Sequence, residues 1–368
     1  MDGRPLQGAS SVRGIGSYER GLLSGFAELA EPPQVSLLLS AHQEPPAEVS
    51  LALRPSTRRI RVVHPTLQPI ADTLLVANAL RSSKADLYHA IEFGQPLRTR
   101  LPVLVTVHDL IPFVMPRDYP WVRRARVLGL RLLRRADAVI AVSDATRFDV
   151  LRFTTTDPRR ITVIPEGISP AFRPVSAEAV DRLREKLRLD RPFLLAVGTF
   201  DPRKRIELLA DVVRRVRRDH DVALVIAGDQ GTFIGAVTDA LSRAGLDQHS
   251  RVIGHVTNDD LVALYTAAEV FVFTSAYEGF GLPPLEAMAC GTPAVVFDNS
   301  SLPEVSGPAA LMVPDGDAAA MAAAINRVLD DPDERTRRRA DGLAWAASFT
   351  WRRAAELTYE LYRTVLGR

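Results

Sequence analysis

One pattern runs twice along this 368-residue chain, and it leaves few folds open. Short apolar runs alternate with longer stretches of helical periodicity, then the series stops and restarts. In the first series the strand-like runs are Val35–Leu39, Ile60–Val63, Leu87–His89, Val103–Val107, Ala138–Val142 and Ile161–Ile164. Between them lie helical stretches at Tyr18–Ala30, Ile70–Arg81, Trp121–Ala136 and Ala145–Phe153. A proline- and glycine-rich stretch, from Pro165-Glu166-Gly167-Ile168-Ser169-Pro170 to Phe172-Arg173-Pro174, reads as a linker. The second series has strands at Phe193–Val197, Ala223–Ala227, Val252–Ile253, Val270–Phe273 and Ala294–Phe297. Its helices are Ile206–Arg218, Phe233–Ala244, Asp259–Ala268, Leu285–Cys290 and Ala318–Asp330. Such alternation predicts an α/β chain of two doubly wound, Rossmann-like halves with mostly parallel sheets. Ligands of these sheets sit beyond the carboxyl ends of the strands. We therefore expect domains at 1–170 and 175–347, facing each other across a ligand cleft. A last helix, Trp351–Leu366, follows a further restart at Ser348-Phe349-Thr350 and belongs to a segment 348–368.

Composition narrows the classes. With 46% hydrophobic and 24% charged residues, the chain is ordinary for a globular protein and long enough for two cores. No apolar run reaches the ~18–20 residues that span a bilayer, and no secretory signal is visible in the polar N-terminus. The single cysteine, Cys290, excludes an internal disulfide and fits a reducing compartment. Charge is unevenly spread: residues 1–174 sum to +7 and residues 175–368 to −5. The basic half is expected to meet something anionic. Nucleic acid is not expected, because no recognised module or basic–aromatic stripe appears.

The densest chemistry lies in Glu278-Gly279-Phe280-Gly281-Leu282-Pro283-Pro284-Leu285-Glu286. Glycines let backbone N–H groups approach a ligand, and a helix start adds unpaired donors and partial positive charge. The flanking carboxylates, Glu278 and Glu286, suit sugar hydroxyls, so the element fits a phosphate held between two hydroxyl-rich groups. Arg13-Gly14-Ile15-Gly16-Ser17-Tyr18 is a second glycine-rich approach to a helix; the next glycine is Gly21, so the dinucleotide fingerprint fails. His108 ends the apolar run Val103–Val107, where ligand-facing groups emerge, with Asp109 beside it to orient the loop or touch an acceptor. Arg203 and Lys204, in Val197-Gly198-Thr199-Phe200-Asp201-Pro202-Arg203-Lys204-Arg205, are adjacent cations at a helix start, suited to a diphosphate. The chain holds only three lysines, Lys84, Lys186 and Lys204. Asp315-Gly316-Asp317 reads as a turn with a helix cap rather than a metal site.

These segments together resemble the retaining family-4 glycosyltransferases, which have the GT-B fold. The resemblance runs over nearly the whole chain and is carried most specifically by the Glu278…Glu286 stretch, similar to the family's Glu-x7-Glu signature. It implies that Glu286 holds the ribose hydroxyls and Glu278 faces the donor sugar. The amides of Gly279, Phe280, Gly281 and Leu282 would meet phosphate or sugar oxygens, and Gly14 and Gly16 would lie beside the donor diphosphate. His108 would contact the transferred sugar, Arg203 and Lys204 would stabilise the leaving diphosphate, and Val256 would pair with the nucleobase through its main chain. Thr199 stands where many relatives have arginine. The resemblance also implies that the last helix crosses back onto the first domain. No metal and no cofactor are expected; the nucleotide-sugar is a substrate.

The expected activity is transfer from a nucleotide-sugar to a glycan or lipid-linked glycan, with donor bound to the second domain and acceptor to the first. Pro202-Arg203-Lys204 and Ser300-Ser301-Leu302-Pro303-Glu304-Val305 resemble the mannosyltransferase-like branch, which favours GDP-mannose, with UDP-hexose as the alternative. A sugar-nucleotide epimerase and a non-catalytic sugar-nucleotide-binding protein stay open as other readings. The expected location is cytoplasmic. The arginine-rich stretch Trp121–Ala136 is the part that would touch the inner face of a membrane. Relatives usually carry an apolar strand before a sequence such as Asp2-Gly3-Arg4-Pro5-Leu6, and here only Met1 precedes it. We expect a shortened or late-assigned start, or a first sheet lacking a strand.

Overall fold

The computed structural model describes residues 1–7, 14–43, 56–60, 68–229 and 231–367. It divides into two units, Met1–Ser169 with Phe349–Arg368, and Pro170–Ser348. Both are α/β, and among the described residues every strand pairing is parallel.

In the first unit β1 (Ser36–Ser40) pairs with β2 (Ser56–Ile60). A separate run, β3 (Tyr88–Ala90), β4 (Val103–Val107), β5 (Ala138–Ala141) and β6 (Ile161–Val163), pairs in sequence order. The expected strand Ile60–Val63 overlaps β2 only at Ile60; residues 61–63 lie outside the described residues. The gap between β1 and β3 is bridged by Met1–Gly3. Leu38 donates to the Met1 carbonyl at 3.0 Å, Gly3 to Leu38 at 3.0 Å and Asp2 to His89 at 2.9 Å. The link is an isolated parallel bridge, Asp2 to Leu38, and among the described residues no strand lies between the two ladders.

The glycine-rich segment expected as a loop is the first turn of α1 (Gly14–Ala27), four residues earlier than the expected helix start at Tyr18. Arg13 lies outside the described residues. Glycine costs a helix about 1 kcal/mol per residue relative to alanine, so α1 needs another reason to carry Gly21 and Gly25. That reason is α14 (Trp351–Val365), which packs on it. A Cβ at Gly21 would lie 2.0 Å from Trp351 Cε2, and one at Gly25 2.1 Å from the Trp351 carbonyl oxygen. The stretch read as a linker is also tied in: Ile168 donates to Phe349 at 3.0 Å, and a Cβ on Gly167 would lie 2.3 Å from Trp351 N. Residues 165–169 therefore belong to the first unit.

The second unit holds a six-stranded sheet of β7 (Phe193–Val197), β8 (Ala223–Ala227), β9 (Ser250–Gly254), β10 (Val270–Phe273), β11 (Ala294–Asp298) and β12 (Leu311–Pro314), in the order β12-β11-β10-β7-β8-β9. Its inner strands β7, β8, β10 and β11 are near-continuous apolar runs, as expected of a parallel sheet buried on both faces. The order reverses between β7 and β10, which makes the carboxyl ends of those two strands the switch point. β12 and α13 (Pro332–Ala346) are not in the sequence expectation. The first is a short run in a Pro/Gly context, and the second is too polar to show periodicity. α13 is started by Asp331, whose carboxylate accepts from Asp333 N at 2.9 Å and Glu334 N at 3.0 Å.

Gly25→Val is expected to push α14 off α1, because the clash is with main chain rather than a movable side chain. Limited proteolysis should then cut between 348 and 351 before any site in the second unit; an unchanged digestion pattern and melting temperature would contradict the packing role.

Candidate functional site

The switch point is built by three loops of the second unit. After β7 the chain turns at Gly198 (φ 135°), makes a 3-10 turn over Pro202–Lys204, passes Arg205 (φ 51°) and enters α7 (Ile206–Val216). After β10 it runs through Thr274 to Gly281 and enters α10 (Leu282–Ala289). Main chain laces the two loops: Ala276 N donates to the Arg203 carbonyl at 2.7 Å, and Thr274 Oγ1 to the Lys204 carbonyl at 2.7 Å.

This lacing brings three expected residues together. Lys204 Nζ lies 2.6 Å from Glu278 Oε1, and Arg203 pairs with the same oxygen. Arg203 Nε is also 3.4 Å from Asp201 Oδ2. Lys204 sits with its ammonium 4.2 Å from the centre of the Phe273 ring. Lys204 is 5% exposed and Glu278 9%, so these charges are largely removed from water. Burial opposes ionisation of Glu278, yet Arg203 and Lys204 hold its carboxyl at about 2. For Lys204, burial and the neighbouring Arg203 outweigh the carboxylate and bring the ammonium down to about 8. Two cations share one carboxylate oxygen, and the second cation bears the cost.

Sequence reading missed the third loop, after β11. Asn299 Nδ2 donates to the Ser275 carbonyl at 3.0 Å, and Ser300 adopts a left-handed backbone (φ 47°) with its Oγ accepting from Glu278 N at 3.0 Å. Ser301 Oγ faces the Phe280 carbonyl at 2.6 Å and the Glu278 carbonyl at 3.1 Å. The Ser-Ser pair grips the peptide 278–280 from both sides. The signal was the serines themselves, which were weighed only as a branch marker.

α10 begins at Leu282, earlier than the expected Leu285, because prolines are tolerated in a first turn. Pro283 and Pro284 carry no N–H, so Gly281 and Leu282 provide the amides at this helix start. Gly281 has φ 106°, and a Cβ there would press on Leu302 Cδ2 at 3.0 Å. Glu286 lies one turn into α10, half-buried, with Oε2 accepting from Tyr265 Oη at 3.0 Å. Val256 is half-exposed in the loop after the edge strand β9, where Gly228 N donates to Gly254 O at 2.7 Å. Thr199 donates to the Asp229 carbonyl at 2.9 Å. Asp315 pairs with Arg205 at 2.7 Å and accepts from Asn299 at 2.6 Å; Asp317 caps α12 (Ala318–Asp330). Cys290 is buried and its thiol is pushed up to about 12 by burial and Glu286.

Within the first unit His108 follows β4. Its Nε2 is 3.0 Å from the Ile91 carbonyl and so carries a proton; Nδ1 is 3.3 Å from Glu166 Oε1. Tyr18 of α1 stands edge-on to the ring at 4.6 Å. Glu166 is a second residue the sequence reading passed over, though it follows the carboxyl end of β6. Asp109 accepts from Ile111 N at 3.0 Å and fixes the loop after His108. Gly14 opens α1 with open space where a Cβ would stand, whereas Gly16 is buried.

With this geometry in place, the comparisons with known proteins are specific. Residues 13–172 match the model of glycosyltransferase family 4, and residues 179–344 match that of glycosyl transferases group 1. An Escherichia coli O-antigen chain mannosyltransferase B is 33% identical over 309 residues, covering 82% of this chain and 78% of that protein. The E. coli serotype-specific mannosyltransferase WbdA is 31% identical over 268 residues, 70% of this chain but only 33% of the relative. Among solved structures, sucrose-phosphate synthase from Thermosynechococcus elongatus superposes with a TM-score of 0.81 at 24% identity, over 97% of this chain and 94% of the other. The chain belongs to the family-4 glycosyltransferases of GT-B fold, in the mannosyltransferase-like branch.

The Glu278 pairing makes stability acid-sensitive in a defined window. Its carboxyl titrates at 4.5 when unperturbed and at about 2 when folded, so the unfolded chain binds the proton first as pH falls. The contribution is complete above 4.5 and lost on the way down to about 2. In parallel thermal melts Glu278→Gln should be less stable than the parent at neutral pH, with the difference narrowing below pH 4.5. A constant difference would show that the ion pairs are not its source.

Proposed function

We propose that this chain is a retaining, metal-independent hexosyltransferase. It would move a sugar from a nucleotide-sugar, GDP-mannose ahead of UDP-hexose, to a glycan or lipid-linked glycan. The observation that carries this reading is the buried Arg203–Lys204–Glu278 cluster at the β7/β10 switch point, where a doubly wound sheet binds its ligand.

A diphosphate competes with Glu278 for the two cations. As it binds, Arg203 and Lys204 turn their donors to the phosphate, and the Glu278 carboxylate is released toward the donor sugar. The cations then matter most when negative charge grows on the departing diphosphate. The bond from the anomeric carbon to the phosphate oxygen breaks, and the bond to the acceptor oxygen forms on the same face. The acceptor's proton passes to the departing phosphate, so no protein nucleophile is needed, unlike the two-carboxylate hydrolases. Glu286, oriented by Tyr265, takes the ribose hydroxyls; the amides of 279–282 take phosphate or sugar oxygens, and Val256 meets the base through its main chain. In the first unit, His108 is oriented by Ile91 and Glu166 for the transferred sugar, and Gly14 and Gly16 are the residues we assign to the donor diphosphate on the family resemblance. The mannosyltransferase relatives favour the GDP-mannose choice. No described helix is long and apolar enough to cross a membrane. We place the protein in the cytoplasm, with the basic first unit meeting the membrane surface that carries a lipid-linked acceptor.

Calorimetric titration with GDP and GDP-mannose tests the site directly. Glu286→Ala should weaken both by about 1–3 kcal/mol, the scale of a lost hydrogen bond to a charged group; unchanged affinity removes Glu286 from the ribose. Lys204→Ala should depress turnover far more than it weakens guanosine binding, and an equal effect on both would contradict a role at the leaving group.

A further inference from the structure

We propose that the exposed face of α4 (Pro120–Leu132) and the turn after it form a docking surface for an anionic phospholipid bilayer. It deepens the preceding reading by locating the membrane contact, and rests on it only for the source of the acceptor.

The arginines are not scattered around the helix. Arg124, Val127, Arg131 and then Arg134 and Arg135 recur at three- and four-residue spacing, which lines up one ridge, with Arg123 beside it. The five arginines are all exposed. The opposite side is packed: Gly129, Leu130, Leu132 and Leu133 are buried, and a Cβ on Gly129 would lie 2.4 Å from Phe93 Cβ.

Pairing separates the two sides as clearly as burial does. Arg126, off the ridge, is held by Glu92 at 2.7 Å and lies 3.7 Å from Asp109. Among the described residues no ion pair reaches Arg123, Arg124, Arg131, Arg134 or Arg135, and no acidic residue lies between 119 and 136. Within the described residues no acidic side chain pairs with the ridge, and the acids nearest in sequence, Asp118 and Asp137, stand at its two ends.

Its apolar members select a bilayer over a soluble polyanion. Trp121 is 76% exposed, with the Arg124 guanidinium 5.1 Å from its ring centre. Arg135 reaches the Leu97 carbonyl at 3.5 Å, which sets the 42%-exposed Leu97 and its neighbour Arg98 beside the end of the ridge. An indole stacked with a guanidinium at one end and leucine at the other suits the headgroup boundary, where aromatic anchors and basic side chains bind together.

The test is co-sedimentation of the full chain with vesicles of phosphatidylglycerol in phosphatidylcholine, against phosphatidylcholine alone. Binding is expected only with the anionic lipid, and it should be lost as salt rises from ~0.01 to ~1 M. The triple variant R124E/R131E/R134E should lower the vesicle partition coefficient by at least about a hundredfold. Trp121→Ser should abolish the blue shift of fluorescence on binding. Two results overturn the proposal: no wild-type binding at low salt, or equal binding by the triple variant. Heparin binding as tight as vesicle binding, with vesicle binding indifferent to Trp121→Ser, also overturns it in favour of a soluble polyanion. Stabilisation by GDP should survive in the triple variant, which shows that it is folded. Vesicle binding without nucleotide binding would bring down the transferase reading and leave this surface standing.

Discussion

A buried charge must be paired, and much of the second unit can be understood as the scaffold that pairs three of them. Lys204 and Arg203 share a carboxylate that belongs to a loop far away in sequence. The two loops meet only because β7 and β10 are neighbours in the sheet, and they stay in register because Ala276 and Thr274 bond the backbone on which the cations sit. The serines after β11 hold the carboxylate's own peptide from the other side. Each strand end contributes one part, and removing the carboxylate would leave two cations without their shared partner.

The same arrangement explains how one cluster serves both stability and chemistry. An ion cluster whose partners are all internal resists unfolding but has nothing to offer a ligand. Here both cations meet on one carboxylate, and Arg203 adds the Tyr277 carbonyl at 3.4 Å; in the function proposed above, an anion of higher charge would compete for these donors.

Much of this was legible in the residues. The two series of alternating elements predicted parallel α/β halves, and the motif after β10 pointed to Glu278 and Glu286. Adjacent cations after β7 pointed to Arg203 and Lys204. What could not be read was which loops meet, since strand order is not written in local periodicity. Ser300, Ser301 and Glu166 were invisible for that reason: each matters through a partner distant in sequence. Gly14 was misplaced as loop because glycine usually breaks helices, whereas α1 carries glycines throughout, two of which, Gly21 and Gly25, make room for the Trp351 helix. α13 was missed because it is held by caps and ion pairs, such as Arg338 with Glu334 at 3.0 Å, rather than by an apolar stripe.

The crossing of α14 onto α1 also sets an order of events at the ribosome. The second unit is one continuous stretch and can close as soon as residue 348 has emerged. The first unit, although synthesised earlier, keeps the glycine face of α1 uncovered until Trp351 arrives. Domains usually finish in the order they are made; in this chain the later one has the means to finish first. Closure of the first unit thus waits on the Trp351 helix, and a chain that stalls before it leaves the α1 glycine face uncovered.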